Sequence, residues 1–283
     1  MYWLEQLHQA LLVGNYGKGT VRNYMMEMRL LFQYHHHKEV ENISQQDITQ
    51  YIIFIKTVHN VGLAKCRSAA QSCGFFFKKV IQKPFVLPTT LYPRKEFKLP
   101  AVMSQEETRL LCTSITDPRH KAVIYLLYGT GMRIGELSNL QWSDIERKNN
   151  RILIRQGKGH KDRYTLLSPT IIKHLEDYYR TYQTRTFVFG SKLMKGKPLH
   201  SRTLQTVVNA AMVKAGFPSG KYTAHSLRHS FATHLLDNGC DLHTIKTLLG
   251  HTNIKTTMIY LHLQQSKLGR IVSPIEYAIN EQS

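Results

Sequence analysis

The stretch Thr223–His262 holds the residue types that phosphate chemistry uses. His225 and Arg228 stand three apart on a segment whose Leu227, Phe231 and Leu235 repeat at helical spacing, so both side chains can reach one phosphate. His251 follows Gly250, where a second helical segment ends, and Tyr260 comes nine residues later in a Thr-rich segment. A guanidinium stays charged and offers a rigid fork of donors that matches two phosphate oxygens. A tyrosine hydroxyl becomes a nucleophile when it loses its proton during attack, and neighbouring cations favour that loss.

Two more cations lie far upstream. Arg133 follows Gly129-Thr130-Gly131, where a turn feeds a helix N-terminus, a place suited to anions; Glu136 is its natural partner one turn on. Lys158 sits between Gly157 and Gly159 at the tip of a GKGHKD turn, from which an ammonium can protonate a leaving 5′-oxygen. Taken singly, each has a plainer reading: Arg133 pairing with Glu136, Lys158 in solvent, Tyr260 in a core. His225 and His229 have the spacing of a zinc pair but lack a third ligand at convincing spacing. His35, His36 and His37 point about 100° apart on a helix, so a solvated helix end is expected there. No G-x-x-x-x-G-K-[ST] loop, D-x-D or H-E-x-x-H occurs, so nucleotide hydrolysis and two-metal nuclease chemistry lack their ligands, and no cofactor or metal is expected. The charge that develops on an attacked phosphodiester would then fall to Arg, Lys and His.

These groups need elements to hold them. Helical periodicity predicts helices over 2–13, over 20–37 with Thr20 as N-cap, from Ser44 with Asp47 closing a capping box, and over about 62–82 with Leu63, Cys66, Ala70, Cys73 and Phe77 inward. Residues 1–83 thus read as a small helical domain. Its exterior Arg22, Lys65, Arg67, Lys78 and Lys79 are candidate phosphate contacts. Residues 84–100 carry four prolines and no stripe, an extended linker long enough to pass around DNA. A second domain, 101–283, opens on a Ser104/Glu107 capping box. It alternates helices with an Arg151–Gln156 and Arg163–Leu167 hairpin, a short strand at 187–189 and helices across Pro169–Tyr182 and Leu204–Ala215. Lys161, in the hairpin turn, joins the candidate DNA contacts. A tail follows from about 262, with an apolar segment Ile271–Ile279.

Composition narrows the partner. Lys and Arg number 38 against 19 Asp and Glu, a formal net charge of +19 spread over both halves, as for a protein whose two domains touch one polyanion. No run reaches the apolar length of a membrane span, the N-terminus lacks a secretory pattern, and the four cysteines show no paired spacing. A cytoplasmic, nucleoid-associated protein is expected.

The stretches YLLYGTGMRIGEL, GKGHKDR, HSLRHSFATHLL, LLGH and TTMIYLH, spread over Ile124–His262, resemble the tyrosine recombinase (phage integrase) family, most closely its two-domain Xer-type and phage- or transposon-encoded members. The resemblance implies a mainly α chain. An N-terminal SAM-like, four-helix core-binding domain would precede a mixed α+β catalytic domain with a small β-hairpin, the two closing as a clamp on double-stranded DNA. It implies that Arg133 and Arg228 clamp the scissile phosphate, with Glu136 supporting Arg133. His225 and His251 would assist proton transfer and Lys158 would act as general acid. Tyr260 would form a 3′-phosphotyrosyl link and release a 5′-hydroxyl. Strand exchange through a Holliday junction at a specific recombination site would follow, by a dimer on each site and a tetramer in the synapse, with accessory proteins possible. The C-terminal segment would dock on a neighbouring protomer. A type IB topoisomerase-like relaxing enzyme, or a silent DNA-binding protein of the same fold, are the alternatives.

Overall fold

The computed structural model describes residues 2–84, 99–155, 162–191 and 193–263. Lys158, Lys161, nearly all of the 84–100 linker and the Ile271–Ile279 segment therefore lie outside the described residues. The chain divides into two compact units, Met1–Phe97 and Lys98–Ser283.

The first unit is built from α1 (Tyr2–Val13), α2 (Lys18–Tyr34), α3 (Gln45–Thr57) and α4 (Leu63–Lys79). Their apolar stripes converge on one core that includes Leu7, Leu11, Met28, Leu31, Ile48, Tyr51, Cys66, Cys73, Phe76 and Phe77. The Ser44–Asp47 capping box closes as the spacing predicts, with Asp47 Oδ2 accepting from Ser44 N at 2.8 Å. Three expectations need correction. Thr20 does not cap α2: the helix begins at Lys18 after Gly17, because the turn from α1 delivers an extended residue there and leaves Thr20 inside the first turn. Leu63 is exposed, since it stands at the helix start, before the buried stripe begins at Cys66. The histidine run is not a wholly solvated end: His35 is 3% exposed, with Nε2 3.2 Å from the Asp47 carbonyl, because α2 ends where α3 begins and the first histidine fills the corner.

The second unit contains α5 (Gln105–Ser114), α6 (Pro118–Thr130), α7 (Ile134–Asn139), α8 (Pro169–Tyr182), α9 (Ser201–Lys214), α10 (Ala224–Asp237), α11 (Leu242–Leu249) and α12 (Lys255–Met258), followed by a 3₁₀ turn, Ile259–Leu263. The predicted hairpin is present as β2 (Arg151–Ile154) and β3 (Arg163–Leu166), with Ile152 facing Thr165 and Ile154 facing Arg163. A third strand, β1 (Ile145–Glu146), pairs antiparallel with β2 and extends the sheet in the order β1-β2-β3. The strand expected at 187–189 does not form. Phe187 makes only an isolated bridge to Gln141, because the flanking backbone is taken by Leu140 and Leu199, leaving room for burial of Val188 and Phe189 but not for a ladder.

Helix α10 is the axis of this unit. It is buried on nearly every side: Ala224 and Leu227 face the main core, whereas Phe231, Ala232 and Leu236 join Ile245, Leu249 and Tyr260 in a second, smaller one. A helix buried all round must satisfy its polar groups internally. Ser230 Oγ does so by donating to Ser226 O and accepting from Met103 N, and His234 bridges Tyr128 and the Met103 carbonyl. Among the described residues no helix is long and apolar enough to cross a membrane.

Candidate active site

Where helix α11 stops, its last carbonyls have no partner further along the helix, and the helix dipole makes that end negative. Two arginines occupy it. Arg228 Nη2 donates to Leu249 O at 2.6 Å, and Arg163 Nε donates to Leu248 O at 2.9 Å. Arg228 Nη1 also donates to Gly131 O, the residue that ends α6 in a left-handed turn (φ +63°). A side chain at Gly131 would press into Phe231 and Leu249, so only glycine lets α6 approach α10 closely enough for that bond.

Arg228 is thus 4% exposed and held by carbonyls alone among its described hydrogen bonds, a buried positive charge without a carboxylate on it. Burial, with Arg133 adding repulsion, lowers its pKa to about 10, so it remains a cation at neutral pH. Arg133, the residue before α7, is part-exposed and engages Glu136 with both backbone and side chain: Glu136 Oε2 accepts from Arg133 N at 2.7 Å and Oε1 from Nη1 at 2.8 Å. Arg163, the first residue of β3, grips the same carboxylate with Nη1 and Nη2 at 2.9 and 2.7 Å. Burial alone would raise the Glu136 pKa, but Arg163 and then Arg133 pull it down to about 2. One carboxylate therefore faces two arginines while Arg228 stands beside them, leaving the cluster net positive.

Gly250 (φ +64°) turns the chain back after α11 and delivers His251, whose Nδ1 lies 2.9 Å from Thr257 Oγ1. The Tyr260 ring stacks on His251 at 6.4 Å between centroids, and its hydroxyl is 3.1 Å from His229 Nδ1. Tyr260 is 1% exposed; burial raises its pKa, and the charges of Arg228 and Arg133 oppose that rise. Burial, then Arg228 and Arg133, depress His251 to about 3, while burial, then His225 and Arg228, depress His229 to about 4. Both imidazoles are neutral at pH 7.

Arg133, Glu136, Arg228, His251 and Tyr260 are thus gathered in one place, and His225 lies exposed at the first turn of α10 beside them. Sequence reasoning missed three participants. His229, weighed in the sequence only as half of a zinc-spaced pair, touches the Tyr260 hydroxyl, because it lies one turn of α10 beyond His225 where that helix meets the 3₁₀ turn. Thr257 orients His251. Arg163 buttresses Glu136, and its signal was legible: β3 alternates in and out, so Arg163 shares the inward face with Thr165, where an arginine demands a partner. In the first unit, Arg22, Lys78 and Lys79 are exposed and Arg67 is half-buried. Lys65 instead gives its ammonium to the buried Glu27 at 2.8 Å.

The sequence model of the phage integrase family matches residues 101–267, and that of the phage integrase N-terminal SAM-like domain matches residues 3–86. A tyrosine recombinase XerC of Lactobacillus leichmannii is 32% identical over 245 residues, covering 81% of this chain and 81% of the relative. A XerC of Staphylococcus aureus is 28% identical, covering 91% and 90%. Among solved structures, XerA recombinase aligns over 95% of this chain and 96% of its own with 28% identity and a TM-score of 0.55. XerH bound to its difH substrate in a post-cleavage complex aligns over 93% and 81% with 24% identity and a TM-score of 0.72. The chain belongs to the phage integrase family of tyrosine recombinases and has their activity, site-specific cleavage and religation of DNA.

Proposed function

We propose that this member of the family recombines DNA at a specific site by attack of Tyr260 on a scissile phosphate held between Arg133 and Arg228. The observation that carries the reading is the Arg228 guanidinium, buried and, among the described residues, bonded to carbonyls and to no carboxylate, with its charge felt at Tyr260. Such a fixed positive charge costs no reorganisation when negative charge develops on a phosphate. Glu136 orients Arg133, and His251 and His225 line the phosphate. Lys158 is assigned the proton for the departing 5′-oxygen on the strength of its motif. The 3′-phosphotyrosyl bond keeps the energy of the broken phosphodiester, so strands are rejoined without a nucleotide cofactor.

Relatives frame the assembly. XerH is seen on its difH substrate, and a lambda integrase dimer on a COC′ core site. By analogy, one copy of this chain occupies each half of a core site. Two such dimers form the synapse in which strands pass through a Holliday junction, and residues 268–283 contribute to pairing between copies. Residues 1–83 and 101–283, joined by the 84–100 linker, both bind the DNA.

A nicked suicide substrate tests the chemistry. Wild type should accumulate a covalent protein–DNA adduct, and sequencing its DNA gives the site. Tyr260→Phe should form none. Adduct formation by the Phe variant would transfer the nucleophile to another residue.

A further inference from the structure

We propose that His229 is the catalytic base that takes the phenolic proton of Tyr260; the proposal rests on Tyr260 being the nucleophile. Two histidines contact the tyrosine and a third, His225, neighbours one of them, and their geometry separates their roles. His251 stacks on the ring and has Nδ1 committed to Thr257. His225 lies a turn earlier on α10 and is exposed. His229 meets the hydroxyl itself, Nδ1 to Oη 3.1 Å, with ring centroids 5.7 Å apart. Among the described residues it is the imidazole placed on the reacting oxygen.

The site also keeps this ring in the state a base requires. His225 and Arg228 face it on α10, His251 faces it from the end of α11 and Tyr260 from the 3₁₀ turn; none of the four is an anion. At neutral pH the ring is therefore uncharged, and with its hydrogen on Nε2 the Nδ1 lone pair accepts from Tyr260. An isolated imidazole of such low basicity would be a poor base. Burial is the first cause of that low basicity, followed by the charges of His225 and Arg228; a phosphate anion docked on Arg228 offsets the Arg228 share, so the proton affinity of His229 rises at the step that needs it. In that step the Tyr260 Oη–phosphorus bond forms, the phosphorus–5′-oxygen bond breaks, and the phenolic proton passes to His229 Nδ1. The departing 5′-oxygen receives its proton from the general acid assigned to Lys158. In religation the 5′-oxygen attacks phosphorus and gives its proton back to the group assigned to Lys158, the phosphorus–Tyr260 Oη bond breaks, and His229 returns its proton to Tyr260.

The test uses the full-length protein and a nicked suicide duplex at saturating concentration. His229→Asn keeps an amide where Nδ1 sits but cannot hold the proton. We expect adduct formation at pH 7 to fall by about 100-fold or more, with DNA affinity unchanged. The deficit should shrink by about tenfold per pH unit as solvent hydroxide replaces the base. Placing 3,5-difluorotyrosine, a more acidic phenol, at position 260 should restore much of the variant's rate. If His229→Asn does not give a cooperative melt, His229→Gln takes its place. Adduct formation within threefold of wild type at pH 7 would overturn the proposal. So would a deficit that is the same at every pH and with the fluorinated tyrosine, which would mark a packing role. Covalent capture by Tyr260→Phe would remove the nucleophile reading itself, an outcome distinct from either.

Discussion

Arg163 and Glu136, 27 residues apart, meet through two parallel hydrogen bonds of 2.9 and 2.7 Å, with both side chains less than a tenth exposed. The pair joins β3 to α7, and Arg163 continues to the end of α11, so one guanidinium ties together three elements that carry the site. Removing one partner of a buried ion pair leaves an uncompensated charge, which costs about 3–5 kcal/mol. Arg163→Met should lose that much in urea unfolding, and Arg163→Lys, which keeps the charge without the fork, should lose less. Equal stability of the Met variant and wild type would show that Glu136 needs only Arg133.

Gly250 allows no side chain. Its φ of +64° is strained for other residues, and a Cβ would lie 2.7 Å from Arg163 Cδ. Gly250→Ala should cost about 1–3 kcal/mol from the backbone alone, measured by thermal unfolding. It should also slow adduct formation, because the same turn sets both Arg163 and His251.

Arg228→Lys should lower single-turnover adduct formation by about 10²–10³-fold while leaving DNA affinity nearly intact. A single ammonium cannot bridge Gly131 O and Leu249 O and still present charge to a phosphate. A matching loss in affinity and rate would instead mean that Arg228 binds DNA without favouring the transition state.

The buried imidazoles give a pH signature. His229 and His251 are held near 4 and 3 in the folded protein, below an ordinary histidine, so the unfolded chain binds more protons between those values and about 6.5. Stability contributed by their neutral forms is present above pH 6.5 and is lost as the pH falls through that window. The melting temperature should therefore drop between pH 7 and pH 5, and His251→Asn should flatten the slope. Glu136, at about 2, adds its own loss only below the usual carboxylate range, near pH 4.5.

The two kinds of lysine in the first unit can be told apart by salt. Each phosphate contact contributes about −0.9 to the slope of log affinity against log salt. Replacing the exposed Lys78 and Lys79 together by Ala should reduce the slope by nearly 2 if both touch DNA. Lys65→Ala should leave the slope unchanged and lower stability, because Glu27 is 1% exposed, its Oε1 is held by Lys65 and its Oε2 has no hydrogen bond among the described residues.

Local physics was enough to read much of this protein from its residues. The apolar stripes of α2, α3 and α4, the Ser44 and Ser104 capping boxes and the β2–β3 hairpin depend on neighbours in sequence, and apart from the start of α2 and the exposed Leu63 they form where the pattern puts them. The residue types Arg133, Arg228, His251 and Tyr260 named phosphate chemistry, because charge and nucleophilicity belong to side chains wherever they stand. Tertiary structure decided what each side chain faces. Lys65 and His35 look solvent-bound by type, yet α2 and α3 bring Glu27 and Asp47 against them. Which of the histidines meets Tyr260 depends on how α10 packs against a turn 31 residues away, and no spacing encodes that angle. The cations could be named in advance; the contact between Tyr260 and His229 required the fold, because hydrogen bonds act over about 3 Å and sequence patterns place residues only to a face.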